Sequence, residues 1–361
     1  MSSNRARHMF LGGNTHLGFF SYYDHIIPRE EADKIYIVKG GPGTGKSSFM
    51  KRIAREMAGR GHAVEYMHCS SDSDSLDGIV IRDLGVAMLD GTAPHVVDPK
   101  YPGAVDEILN FGAFWDEEGI RKHKEEIMEE SREIGRLFSR AYRYLSAAYN
   151  IYTDSASIYA RALDSSKLDS LVYDLERELF DGKERAGRSG RERSLFASAI
   201  TPAGFVNYLD TILDTGRVYE IRGDMGTGEE KVLERLRDRA LASGHDVEGF
   251  YCALNPRKLE HLVIPGLDAA ITTSNAYHRP GSGFVKTFDM LDLMDRGLLE
   301  RCRIDLEENR TMFDGLMSNA LKSIRQAKEN HDRLERYYIP HMNFKGIDAL
   351  YEEILDRLNG Q

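Results

Sequence analysis

Cysteine is scarce in this chain: only Cys69, Cys252 and Cys302 occur in 361 residues, scattered and odd in number. That excludes a disulfide framework or a cysteine-built zinc site and predicts a reducing compartment. No apolar run approaches the ~18 residues that a membrane span needs. Met1 to Arg7 is short and polar, without a signal-peptide core. A soluble, cytoplasmic protein with no membrane partner is expected. Cations are outnumbered as well, since 48 Lys and Arg face 58 Asp and Glu for a net charge of −10. That balance argues against a nucleic-acid partner, whose phosphates are held by clustered cations.

Glycine, by contrast, is present where it carries chemistry. Gly40-Gly-Pro-Gly-Thr-Gly45-Lys46-Ser47 follows the apolar run Ile35 to Val38 and precedes Ser48 to Met57, which has helical composition. Strand, glycine loop and helix in that order let backbone N–H groups and a helix dipole converge on phosphate oxygens. A phosphate-binding loop is predicted, with Gly41, Pro42, Gly43, Thr44, Gly45, Lys46, Ser47 and Ser48 holding a nucleoside triphosphate. In that role Lys46 reaches the β- and γ-phosphates and the Ser47 hydroxyl ligates Mg²⁺.

The loop recurs with its chemistry removed. Gly40, Gly43, Thr44 and Gly45 reappear as Gly223, Gly226, Thr227 and Gly228, each 183 positions later, while Lys46 becomes Glu229 and Ser47 becomes Glu230. Two carboxylates make that site a poor one for a triphosphate. The same spacing relates Gly61 to Gly244, Cys69 to Cys252, Val80 to Val263 and His95 to His278. Phe10 and Phe196 match at a spacing of 186, and Ala141 and Ala320 or Tyr159 and Tyr338 at 179. The chain is therefore a tandem duplication. Its expected organisation is a domain over 1–182, a linker over 183–195 and a degenerate domain over 196–361. Each is an α/β P-loop NTPase domain, a parallel sheet flanked by helices, with a helical extension.

Comparison of the copies separates scaffold from chemistry. Val86-Ala-Met-Leu-Asp90 has the form of a Walker B strand whose Asp90 holds the Mg²⁺ shell, and in the second copy Asp90 becomes Thr273. The run Ser70 to Asp74 follows a predicted strand over Ala63 to Cys69 and is likewise lost. Asp72 or Asp74 is expected to orient a water or an acceptor, with a helix cap as the bland alternative. His95 and Asp98 follow the same edge. The catalytic set predicted is Lys46, Asp72 and Asp90, and the metal ligands are Ser47 and Asp90.

The arginine-rich stretch Asp181 to Arg193 reads as a solvated connector, or alternatively as a source of a positive finger for phosphate. Apolar stripes through Leu137, Ala141, Leu145 and Ala148, and through Phe313, Ala320 and Ile324, predict two long amphipathic helices that pack on each other or on the cores.

Taken together, GGPGTGKSS, CSSDSDSLDG and LDGTAPHVVDPKYPGAVDEI resemble a bacterial family of duplicated P-loop ATPases, predicted to be nucleotide kinase-like. The resemblance spans nearly the whole chain and implies ATP binding through Gly43, Gly45, Lys46 and Ser47. The expected activity is Mg²⁺-dependent ATP hydrolysis in the first copy beside a non-hydrolysing second copy. The alternatives are a small-molecule or nucleotide kinase, and a nucleotide-sensing scaffold in which ATP orders the interface between the copies and turnover is incidental; beside the nucleoside triphosphate, the expected partner is an unidentified acceptor or a protein.

Overall fold

The computed structural model describes residues 6–93, 96–183, 187–281 and 283–360. The first copy begins with β1 (Arg7–Phe10) and the hairpin β2 (Gly12–Thr15) and β3 (Gly18–Ser21). Next, β4 (Lys34–Lys39) delivers the glycine loop to α1 (Lys46–Gly59), followed by β5 (Val64–His68), β6 (Leu76–Ile81), β7 (Val86–Asp90) and β8 (Asp106–Asn110). Three helices complete it: α2 (Glu117–Arg121), α3 (Lys124–Ala162) and α4 (Ser165–Phe180). The second copy repeats the order with β9 (Glu192–Leu195), β10 (Ser198–Thr201), β11 (Gly204–Asn207), α5 (Leu209–Ile212), β12 (Arg217–Arg222) and α6 (Glu230–Ala242). It continues through β13 (Val247–Tyr251), β14 (Leu259–Ile264), β15 (Ala269–Ser274) and β16 (Lys286–Asp289), and ends in α7 (Arg296–Arg301), α8 (Arg303–Tyr338) and α9 (Phe344–Asn359).

The two six-stranded sheets have the same strand order, β1-β5-β6-β7-β4-β8 and β9-β13-β14-β15-β12-β16. Both are mixed rather than purely parallel, because β6 and β14 run antiparallel to their neighbours. The reason is local. Only residues 69–75 separate β5 from β6, and 82–85 separate β6 from β7, too few for the crossover a parallel neighbour requires. The central strand β4 reads as a continuous apolar run, Ile35 to Val38, because both faces of the sheet are covered.

On one face of the first sheet, Phe49, Met50, Ile53 and Ala54 of α1 pack with Tyr36, Val38 and Ile79. The same cluster contains Ile347, Tyr351, Ile354 and Leu358 from α9, the last helix of the second copy. The reciprocal arrangement holds in the second sheet, where Leu168, Val172, Leu175 and Leu179 of α4 complete the core over α6 with Tyr219, Ile221 and Leu233. The copies therefore exchange their terminal helices. Isolated bridges between Trp115 and Met342 and between Leu163 and Met294 repeat the crossing at equivalent positions. The long helices α3 and α8 pack through Ala141, Leu145 and Ala148 against Phe313, Met317, Ala320 and Ile324, and the same cluster takes in Ile200, Ala253 and Leu254 of the second copy, so both arrangements their stripes allowed occur.

The remaining sheet faces meet in one shared core containing Met9, Ile35, Ile37 and Leu89 with Leu195, Phe250, Val263 and Ala270. At its rim Arg7 and Arg193, equivalent in the two copies, pair with the equivalent Glu65 and Glu248. Burial by itself drives the Glu65 carboxyl upward; Arg193, Arg82 and Arg7 together outweigh it and hold the group below its usual range. Arg193 thus lies in strand β9 rather than in a solvated connector. Its neighbours Arg188 and Arg191 pair with Asp246 and Glu31, so these three arginines serve structural ion pairs and not a phosphate finger. Residues 184–186 of the expected linker fall outside the described residues. No described helix is long and apolar enough to cross a membrane.

Candidate functional site

The loop between β4 and α1 turns on two glycines in the left-handed region, Gly43 at φ 65° and Gly45 at φ 90°, a conformation that side chains other than glycine rarely adopt. The Thr44 hydroxyl closes the turn by donating to the Gly41 carbonyl at 2.8 Å. The second loop keeps this skeleton, with Gly226 at φ 86°, Gly228 at φ 87° and the Thr227 hydroxyl on the Asp224 carbonyl at 2.8 Å. Shape has been retained where chemistry has not.

In the first loop, Lys46 Nζ folds back to donate to the carbonyls of Gly40 and Gly41 at 2.9 and 2.8 Å, and lies 3.5 Å from Asp90 Oδ2. The parallel pairing of β4 and β7 sets Val38 opposite Asp90, so the loop lysine and the strand-ending carboxylate share one edge. Asp90 Oδ1 accepts from the Thr92 N–H at 2.8 Å, and the Thr92 hydroxyl donates to the Gly40 carbonyl at 3.0 Å. Ser47 Oγ accepts from the Leu76 N–H at 2.9 Å, which ties the first turn of α1 to β6. Lys46 and Asp90 thus lie together at this edge, while Ser47, the next residue on α1, is held by Leu76.

Asp72 has a more structural setting. Its carboxylate accepts from the Asp74 N–H and the Ser75 hydroxyl, closing the turn before β6, and it pairs with Lys328 of α8 at 3.3 Å. Asp98 is exposed and pairs with Lys39, while His95 lies outside the described residues.

Sequence reasoning missed the roof over this loop, which comes from the second copy. A Cβ placed on Gly41 would meet the Tyr338 ring at 3.0 Å, and one on Gly43 would meet Ile339 at 2.9 Å and the Glu335 carbonyl at 3.2 Å. Over the second loop, Ala156 of α3 takes the place of Glu335, 2.9 Å from a Cβ on Gly226. One available signal was the joint difference between copies. The pair Asp72 and Lys328 corresponds to Asn255 and Tyr149, which make a neutral contact at 3.4 Å.

The second loop is filled by an internal ion pair. Glu229, at the position of Lys46, takes a 2.6 Å bond from Lys258 Nζ, with both side chains buried, and accepts from the Thr227 hydroxyl at 3.0 Å. Lys258 also stands over the Tyr152 ring, 5.6 Å from its centre. Burial and the neighbouring Glu229 push the Glu230 carboxyl up, and its Oε2 has no hydrogen-bond partner. The buried cation beside this loop is thus paired with the loop's own carboxylate.

Comparison of the chain with known protein families, characterised proteins and solved structures gives no match.

Proposed function

We propose that the first copy binds one nucleoside triphosphate with Mg²⁺ and hydrolyses it, and that the second copy is a non-binding partner that roofs the site. The observation that carries this reading is the convergence of Lys46 and Asp90, 3.5 Å apart, on a left-handed glycine turn at the N-terminus of α1. A backbone turn of this kind and a helix N-terminus favour phosphate. Lys46 would exchange its two carbonyl contacts for phosphate oxygens. Ser47 and Asp90 offer hydroxyl and carboxylate oxygens, the hard donor set that suits Mg²⁺, which when bound would neutralise developing charge on the phosphates. Asp72, linked to Ser47 through the Asp72–Ser75 turn and Leu76, is proposed to position the attacking water. The family resemblance of the loop motifs belongs to the same proposal.

Contact between the loop and α8 favours a second reading, the nucleotide-sensing scaffold. Phosphate entry beside Gly43 acts directly on Glu335 and Ile339, so binding alone would shift α8 against α3 without appreciable turnover.

Calorimetry with Mg·ATP tests the main reading. One site per chain is expected, abolished in Lys46→Ala. Two equivalent sites, or undiminished affinity in that variant, overturn it. Phosphate release by the wild type then separates the hydrolase from the scaffold.

A further inference from the structure

We propose that Glu260, His261 and His278 of the second copy form a binding site for a divalent transition metal of the zinc class. One ligand atom from each lies within 4.8 Å of the others, and all three side chains are buried, with exposures of 5%, 0% and 6%. Glu260 and His261 are neighbours on β14, where alternation would send them to opposite faces. A bulge prevents that: β13 pairs Phe250 with His261 and Tyr251 with Leu259, which leaves Glu260 as the extra residue. His278 arrives from the loop after β15, its Nδ1 4.0 Å from Glu260 Oε2.

Each imidazole has one nitrogen anchored by a threonine hydroxyl, His261 Nδ1 by Thr272 at 2.8 Å and His278 Nε2 by Thr273 at 2.9 Å. Orientation of a ligand ring through its second nitrogen is the usual supporting arrangement in metal sites. It leaves His261 Nε2 and His278 Nδ1 for the ion. His261 Nε2 is fully buried without a hydrogen-bond partner, an unfavourable setting for a polar atom unless something fills the position. The local charge of Lys258 is already neutralised by Glu229. A cavity of about 40 Å³ lined by Glu260, His278, Cys252 and Tyr152 adjoins two of the three ligands and has room for a water.

The first copy has no such set, because His261 corresponds to Gly78 and Thr272 to Leu89. Thr273, which anchors His278, stands where the first copy has Asp90. The inference therefore concerns chemistry gained by the second copy and does not depend on nucleotide binding by the first.

The test uses the intact chain, stripped with a chelator and titrated with Zn²⁺ against a chromophoric competitor. One tight equivalent is expected, together with a rise in Tm. Substitutions His278→Asn and Glu260→Gln should each weaken it by at least ~10²-fold, and loss of the anchor in Thr272→Val by ~10-fold. His331→Ala, which disrupts the separate His331, Asp332 and Glu335 group on α8, should leave it unchanged. Circular dichroism reports whether each variant is folded, and Glu260→Gln, nearly isosteric, guards against a folding defect in the histidine variants. A wild-type chain that neither takes up Zn²⁺ nor gains Tm overturns the proposal. So does a tight equivalent that survives in folded Glu260→Gln and His278→Asn.

Discussion

Phe10 and Phe196 hold each other by two backbone hydrogen bonds, each N–H donating to the other's carbonyl at 2.9 and 3.0 Å. They are the same position in the two copies, so a pseudo-twofold axis passes between them and the duplication is folded as an isologous pair within one chain. The flanking residues obey the same symmetry: Arg7 and Arg193 each reach both Glu65 and Glu248.

This ion-pair group gives a first prediction. Arg193 is buried and also donates to the carbonyls of His25 and Ile26. Arg193→Met removes a buried cation from between two carboxylates and should cost about 3 kcal/mol in a denaturant melt. A loss below ~1 kcal/mol would mean that Arg7 and Arg82 alone suffice.

Exchange of terminal helices predicts that the copies cannot be separated. A fragment ending near Gly182 lacks α9, which covers Val38, Phe49 and Ile79, and carries α4 with its apolar face uncovered. It should bind a hydrophobic dye and aggregate. Co-expression with the fragment 183–361 should restore a soluble complex, read by size-exclusion chromatography.

Asp72 should reveal its role through the division between turnover and binding. Asp72→Asn is expected to lower turnover by ~10²-fold with ATP affinity nearly unchanged, as when positioning of the nucleophile is lost without ground-state binding. Steady-state kinetics beside thermal melts decide this. If Asp72 serves only its turn and Lys328, turnover stays normal and stability alone falls, by ~1 kcal/mol.

Glu230 predicts a pH-dependent gain. Its carboxyl is raised by burial and by Glu229, so the folded chain holds that proton more tightly than the unfolded chain. Such a group loses stability as pH rises from its unfolded value through its folded one. Glu230→Gln should therefore stabilise the protein at pH 7, by ~1 kcal/mol, with the gain vanishing near pH 4. A gain over wild type no larger at pH 7 than at pH 4 contradicts the assignment.

Much of this could be read from residue order. Duplication was visible in the recurring spacings, and the asymmetry of the copies in the joint loss of Lys46, Ser47 and Asp90. Strands β4, β5 and β7 and helices α1, α3 and α8 carry their own periodicity, because alternation and helical stripes are local consequences of which face is buried. A stripe states that a face is covered, however, and not by what. The apolar residues of α9 suit either sheet equally well, and only the assembled chain puts them on the first copy rather than their own. For the same reason Lys328 and Tyr338, more than 250 residues from the turn and loop they touch, gave no local sign of belonging to the site. The bulge at Glu260 also depends on pairing with β13, so the convergence of Glu260, His261 and His278 was decided by sheet geometry, which no spacing in one strand encodes.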